Sequence, residues 1–233
     1  TPVGSTSSPF TITGLDNGTS YSVVIRAESP AGDGVSSAPS TFATPSTPGA
    51  PTIGSISVGD GTLSIPFSAG SNGGLAISGY EYQLTTDGPW TPAPSGSSPL
   101  VLAGLTNGTT YHVSLRADNV LGSGAVSNTL SATPLTTPGA PALLAGSVAG
   151  GDQELDATFT APADNGGSVI LTYQYSYQGG ATWRTRASGS TDSPLVITTE
   201  SGDGITPLVN GTTYSVEVRA VNAVGAGTSS GVA

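Results

Sequence analysis

The chain has 233 residues, among them 34 glycines and 18 prolines, and carries a formal net charge of −10. It contains no cysteine, which excludes a disulfide framework, a thiolate metal site and a cysteine nucleophile. All of its cationic side chains are arginines, only five in number, so we expect no nucleic-acid partner and no anionic membrane surface. No stretch approaches the roughly 20 apolar residues of a membrane-spanning helix, and we expect no direct membrane insertion.

One phrase of sequence occurs three times along the chain. The copies are Gly14–Tyr21, Gly104–Tyr111 and Leu208–Tyr214, and each continues into an alternating strand that ends in Arg-Ala. The three tyrosines are 90 and 103 positions apart, which is about the length of a small β-sandwich. A chain that repeats one supersecondary unit is an array, so we expect its function to lie in length, spacing or multivalency.

The first repeat, residues 1–45, is expected to be incomplete. Thr1–Pro9 aligns with Thr91–Pro99, so the first three strands of a full repeat and the position of Trp90 have no counterpart here. Half a sandwich exposes its inner face to water. Two interpretations remain open: the chain is a segment of a longer array, or another copy completes residues 1–45 by end-to-end or donor-strand-like assembly.

Proline-rich linkers separate the repeats at Ala43–Pro51 and Ala132–Pro141. Proline fixes φ and lacks an N–H donor, so we predict short, semi-extended linkers outside the sheets. They divide the chain into domains at residues 1–45, 46–136 and 137–233. Stiff linkers of this kind would make the array a rod.

The second and third repeats contain the same order of short alternating strands. No segment has a period near 3.6, so no helix is expected. In the second repeat, the residues that mark the predicted strands are Leu63, Ile65 and Phe67, then Tyr80, Tyr82 and Leu84, then Trp90, then Leu100 and Leu102, then 111–117 and 125–132. In the third repeat, they are Leu155, Ala157 and Phe159, then Leu171, Tyr173, Tyr175 and Tyr177, then Trp183, then Val196, then 214–220.

This strand order and the Leu-x5-Tyr spacing resemble the fibronectin type III domain, especially the bacterial extracellular kind. The resemblance implies an all-β fold of tandem immunoglobulin-like β-sandwiches, the first one incomplete. It also implies a tyrosine corner in each repeat, in which the tyrosine hydroxyl bonds back to the chain near the preceding leucine. The matching pairs are Leu15 with Tyr21, Leu105 with Tyr111, and Leu208 with Tyr214. The family's usual second-strand tryptophan is replaced by Phe67 and Phe159.

No catalytic, cofactor or metal constellation is apparent. The single histidine, His112, follows Tyr111 and is expected to face outward, with no second histidine to share a metal. Most carboxylates lie in turns such as Gly59–Gly61, where aspartate bonds to its own backbone, and no spaced run of them suits calcium. We therefore expect no enzyme activity and no cofactor.

Two polar positions recur in all three repeats. The Asn-Gly-Thr triplets fit either a tight turn or an N-glycosylation acceptor, and both interpretations stay open for Asn17, Asn107 and Asn210. The arginines are expected on the outer face of their strand, solvated or paired with an acidic neighbour; they are Arg26, Arg116 and Arg219.

Trp90 and Trp183 are the best candidates for a binding surface, since both fall on a short edge strand. An exposed tryptophan can stack on a sugar ring or fill a partner's pocket, whereas a buried one would cap its own core. The insertion at residues 198–205 is a second place for binding, or simply a tolerated loop.

These features favour a non-enzymatic, secreted or surface-exposed array: a rod in a bacterial adhesin, surface layer or filament. A partner would be another copy of the chain, a surface protein or a glycan. The alternatives are a spacer in a secreted polysaccharide-degrading enzyme and a carbohydrate- or protein-binding module.

Overall fold

The computed structural model describes residues 7–186, 189–198 and 208–233. Every regular element within these residues is a β-strand, so the predicted all-β class is confirmed. The same part of the chain holds no helix that could cross a membrane.

The strands are, in chain order, β1 (Ser20–Val23), β2 (Glu28–Ser29), β3 (Gly32–Asp33), β4 (Ser40–Ala43), β5 (Thr52–Ile53), β6 (Ser57–Gly59), β7 (Thr62–Ile65), β8 (Phe67–Ser68), β9 (Gly79–Gln83), β10 (Thr91–Pro92), β11 (Leu100–Leu102), β12 (Tyr111–Asn119), β13 (Gly122–Ser123), β14 (Leu130–Ala132), β15 (Ala142–Gly150), β16 (Glu154–Thr160), β17 (Thr172–Ser176), β18 (Arg184–Thr185), β19 (Leu195–Thr198), β20 (Glu217–Val221) and β21 (Ala226–Ser229).

The chain forms two compact units. The first consists of the described part of Thr1–Ile56 with Ile65–Leu100 and His112–Ser131. The second consists of Ser57–Ser64, Val101–Tyr111 and the described part of Ala132–Ala233. The three-domain division at residues 45/46 and 136/137 follows the sequence repeat and remains a prediction.

The main sheet of the first compact unit has the strand order β10-β9-β12-β13, with β14 also paired to β12. β9 and β12 are antiparallel, with Tyr82 opposite Leu115 and Tyr80 opposite Ala117. Val113, Leu115 and Ala117 are fully buried. Because successive strand residues point to opposite faces, the residues between them lie on the outer face of this sheet.

From residue 7 onward, where it is described, the first repeat contributes two two-stranded pairings, β1 with β4 and β2 with β3. Tyr21 lies opposite Phe42 in the first of these pairs. The face that is buried in β12 is open here: Ile25 is 53% exposed and Phe42 is 41% exposed. This is the exposure expected of an incomplete sandwich.

The second compact unit contains the sheet β11-β7-β6 and a complete sandwich from the third repeat. That sandwich has the sheets β15-β16-β19 and β18-β17-β20-β21, whose strand pairs are antiparallel. Alternate residues of both sheets enter one core, as expected for the immunoglobulin-like fold of the fibronectin type III domain. The core residues are Ala157, Phe159, Tyr173, Tyr175, Tyr177, Leu195, Ile197, Leu208, Val216, Val218 and Ala220.

Several details of the predicted strands are wrong. The strand predicted over 125–132 is limited to β14, and Trp90 and Trp183 lie just before β10 and β18. The strand predicted through Leu63, Ile65 and Phe67 is broken, because Pro66 has no N–H to donate. β7 ends at Ile65 and joins β6 and β11, whereas β8 pairs with β5. In β19 the inward residues are Leu195 and Ile197, and Val196, which marked this strand, faces solvent.

Candidate functional site

Each repeat places its tyrosine hydroxyl against the same backbone position. The Tyr21 hydroxyl accepts a hydrogen bond from the Asp16 N–H at 2.9 Å. Tyr111 accepts one from Thr106 at 3.0 Å, and Tyr214 accepts one from Val209 at 2.7 Å. The donor in every case is the residue after the repeated leucine, which is the geometry of a tyrosine corner.

A second repeated feature was not predicted from the sequence. It joins the turn before the corner tyrosine, which contains the repeated asparagine, to a hairpin turn earlier in the same repeat. The Asn107 side chain donates from Nδ2 to Asp60 Oδ1 at 2.8 Å and accepts from the Gly61 N–H at 2.9 Å. Asn210 does the same with Asp152, at 2.8 Å, and with the Gln153 N–H, at 2.9 Å. We call these two arrangements the asparagine clamps.

The clamps give the repeated asparagine a structural role beyond the turn. Glycine holds the left-handed conformation in these turns, with φ of +80° at Gly108 and +81° at Gly211. A sequence signal for the clamps exists, because Asp60 and Asp152 occupy equivalent hairpin turns. Asn17 is exposed and makes no side-chain hydrogen bond within the described residues, and its glycosylation remains a prediction.

The repeated arginines lie on the outer face, where two of them stack on the candidate tryptophans. The Arg116 guanidinium lies 4.4 Å from the centre of the Trp90 ring, and that of Arg219 lies 4.1 Å from the centre of Trp183. Both tryptophans immediately precede an edge strand, β10 or β18, and are half-buried. Such a cation–π stack contributes about 0.5–1 kcal/mol when exposed and more when desolvated.

Polar neighbours fix each arginine from the side. Arg116 donates from Nε and Nη2 to Glu81 Oε2, at 2.7 and 2.5 Å. Arg219 donates from Nε to Gln174 Oε1 at 2.8 Å, and partial burial lowers the pKa of its guanidinium. Arg26, whose repeat lacks the tryptophan position, pairs with Asp33 at 2.6 Å.

These stacks bear on the predicted binding surface without testing it. One ring face of each tryptophan is covered by a guanidinium, so a sugar or a partner could use only the opposite face. The two tryptophans therefore pack against the outside of their own sheet. Trp90 and Trp183 remain candidate binding residues.

Little else in the described residues offers chemistry. His112 is exposed, and its Nδ1 lies 2.9 Å from Ser131 Oγ. No three metal-ligating side chains come together in the parts of the chain that the structure describes. A surface groove of about 500 Å³ in the first compact unit is lined in part by Glu81, Pro92 and Asp118. Of the predicted insertion at 198–205, residues 199–205 lie outside the described residues.

Fold and site together define the class of the chain: an all-β array with fibronectin type III-like sandwich architecture. No family profile matches it. It is similar to Endoglucanase B of Cellulomonas fimi, with 33% identity over 240 residues that cover 94% of this chain. It is also similar to Exoglucanase B of the same organism, with 34% identity over 246 residues that cover 97% of this chain.

The chain spans about a fifth of the length of these curated relatives, 21% of each. Among solved structures, the FN1–FN3 domains of chicken CNTN1 align with 81% of this chain and 65% of their own. That alignment has 23% sequence identity and a TM-score of 0.38.

Proposed function

We propose that the chain is a non-catalytic spacer segment of an extracellular glucanase. The observation that carries the proposal is the similarity of nearly the whole chain to one fifth of each of two glucanases. Among the residues that the structure describes, the sheets, corners and clamps organise the repeats, and no side chains come together in an arrangement suited to hydrolysis. This favours the accessory-domain alternative over the adhesin, surface-layer or filament role.

The spacer works through length and solubility. Each repeat occupies a fixed stretch of chain, so the number of repeats determines the separation of the modules at either end. The net charge of −10 keeps neighbouring chains apart and reduces aggregation outside the cell. Stability rests on apolar cores and hydrogen-bonded turns, without cysteine.

The test is a fusion in which the chain joins a glucanase catalytic domain to a cellulose-binding domain. We expect hydrolysis of soluble glucan to be the same with and without the chain, since the catalytic domain alone performs it. Hydrolysis of insoluble cellulose should decrease when the chain is deleted, because the two end domains then interfere with one another. Hydrolysis by the purified chain alone, or no difference on the insoluble substrate, would refute the spacer role.

A carbohydrate-binding role is the first competitor, and the tryptophans favour it. Cosedimentation of the purified chain with cellulose measures it, with Trp90→Ala and Trp183→Ala as variants. A spacer stays in the supernatant, as both variants do. Binding that is lost in the variants while their melting temperatures are retained would replace the spacer proposal by a binding module.

Assembly with other copies is the second competitor, and the open inner face of the first repeat favours it. Ile25 and Phe42 are apolar and half exposed on that face. Light scattering together with negative-stain electron microscopy of the purified chain distinguishes the outcomes. Filaments or defined oligomers would mean that a neighbouring copy completes residues 1–45, and monomers would support the spacer.

A further inference from the structure

One buried asparagine follows the tyrosine-corner strand in each of the second and third repeats. Asn119 ends β12 and Asn222 follows β20, and they are 5% and 3% exposed. Asn119 Nδ2 donates to Ser46 O at 2.8 Å and to Asn72 O at 3.2 Å. Asn222 Nδ2 donates to Thr136 O at 2.8 Å and to Asn165 O at 2.9 Å.

The acceptor end of the same side chain holds a third segment. Asn119 Oδ1 accepts from the Leu121 N–H at 2.9 Å. Asn222 Oδ1 accepts from the N–H groups of Val224 at 2.9 Å and Gly225 at 3.2 Å. One amide group thus connects a linker, an Asn-Gly-Gly turn and the turn after its own strand, at equivalent positions in both repeats.

Backbone hydrogen bonds attach the linkers to the same turn. In the second linker, Thr136 N–H donates to Gly166 O at 2.9 Å, and Gly139 N–H donates to Asp164 O at 2.9 Å. In the first linker, Ser46 N–H donates to Gly73 O and Gly49 N–H donates to Ser71 O, both at 2.8 Å. The linkers are therefore hydrogen-bonded to the turns of the repeat that follows them. The prediction of semi-extended linkers did not include these bonds.

The start of the second linker is also held from the preceding side. The Gly108 N–H, in the corner turn of the second repeat, donates to Pro134 O at 2.9 Å. Gly167 packs against that turn so closely that a Cβ at Gly167 would lie 2.3 Å from the Gly108 nitrogen. All of these residues belong to the second compact unit.

From these contacts we propose that Asn119 and Asn222 are positioning residues that lock the linkers, so that each joint is a rigid connection and not a hinge. The inference goes beyond the spacer function, because it holds for any array of this sequence. Removing the amide donor leaves two backbone carbonyls without their partner, so the linker is held to the turn by its backbone bonds alone and separates from it more often. A locked joint keeps the angle between successive repeats constant, and an unlocked one does not.

Asn222→Asp is the diagnostic variant, because aspartate keeps the acceptor for Val224 and Gly225 and replaces the donor by a carboxylate oxygen. Asn165→Asp is the matched control: it adds the same charge in the adjacent turn and keeps its acceptor for the Gly167 N–H. The chain has no cysteine, so Val101→Cys and Val196→Cys, at exposed positions of β11 and β19, give two unique spin-label sites. The distance distribution between the two labels then reports motion at the joint.

We expect a single narrow distribution in the parent chain and in Asn165→Asp, and a distribution about twofold or more broader in Asn222→Asp. Thermolysin cleavage before Leu135 should accelerate about tenfold in Asn222→Asp alone, because the linker then separates more often from the turn and becomes accessible. A broad distribution in the parent chain overturns the proposal, whether or not Asn222→Asp folds. Equal widths in the parent and a folded Asn222→Asp overturn it too.

Discussion

At the scale of single residues, asparagine connects segments that no sheet joins. An amide carries a donor and an acceptor on one rigid group, so a single side chain can bond to two backbone groups at once. Asn128 does this with one residue, accepting from the Ile53 N–H at 2.8 Å and donating to Ile53 O at 3.0 Å. Asn222 does it between segments far apart in the sequence, and Asn107 joins its turn to a distant carboxylate and a distant backbone N–H.

Asn107→Ala should lower the free energy of unfolding by about 1–2 kcal/mol, because it removes a charge-assisted bond to Asp60 and leaves the Gly61 N–H unpaired. Urea denaturation measures the change. Asn17→Ala is the control, since Asn17 occupies the same place in the first repeat and bonds to no described side chain. Equal effects of the two substitutions would mean that the clamp contributes nothing.

Tyr111→Phe should lower the free energy of unfolding by about 1 kcal/mol, because the Thr106 N–H loses its acceptor while the ring still packs. Thermal unfolding followed by circular dichroism measures it. Tyr82→Phe, at a tyrosine with no hydroxyl hydrogen bond within the described residues, should leave the melting temperature unchanged. A loss of binding in Tyr111→Phe at an unchanged melting temperature would contradict the structural role.

The sequence predicts the hydrogen bonds of the corner tyrosines but not those of Asn119 and Asn222, for a physical reason. A corner tyrosine bonds five residues back along the chain, so both partners lie in one motif that can be recognised. The partners of Asn119 and Asn222 are backbone carbonyls, which any residue type supplies, so no sequence pattern identifies them. The Arg116–Trp90 stack cannot be predicted from the sequence for a related reason: these two residues meet only because of the register between their strands.

At the scale of elements, one aromatic pair recurs in the two repeats, between β8 and β9 in the second and between β16 and β17 in the third. Phe67 and Tyr80 have ring centres 4.8 Å apart, and Phe159 and Tyr173 have centres 4.5 Å apart. Aromatic contacts of this kind stabilise by about 0.5–1.5 kcal/mol beyond the area they bury. The phenylalanine at this position is thus a packing residue in both repeats.

Burial of Tyr173 should make the protein sensitive to alkaline pH. Desolvation raises the pKa of Tyr173 above its ordinary value of 10.0, so folding favours the neutral phenol. This stabilisation is complete below the unfolded-state pKa and is lost as pH rises above about 10. Urea unfolding between about pH 9 and 11 measures the slope. Tyr173→Phe should flatten it, and an unchanged slope would contradict this origin.

The hairpin turn between β15 and β16 contains a strained residue. Gln153 has φ of +55°, the same value as Gly61 in the equivalent turn of the second repeat. A side chain in this region costs about 1 kcal/mol, so Gln153→Gly should raise the melting temperature, and Gly61→Gln should lower it. Calorimetry measures the melting temperatures of both variants, and shifts of the same sign would refute backbone strain as the cause.

At the scale of the whole molecule, stability should be independent of metal ions. The chain carries a net charge of −10, but no three metal-ligating side chains come together among the residues that the structure describes. Adding EDTA should leave the melting temperature unchanged, and so should adding calcium chloride. A downward shift of the melting temperature with EDTA would contradict this prediction.

The locked linkers determine what counts as one unit of this array. Each linker bonds to turns of the repeat that follows it. One structural unit of the array is therefore a linker together with the repeat after it, and it does not begin at the first strand. Duplication or deletion of such a piece within an array would keep the bonds between each linker and its own turns, and the next linker would supply the acceptor that Pro134 O gives to the Gly108 N–H. The length of such an array could therefore change in whole steps of about one repeat during evolution.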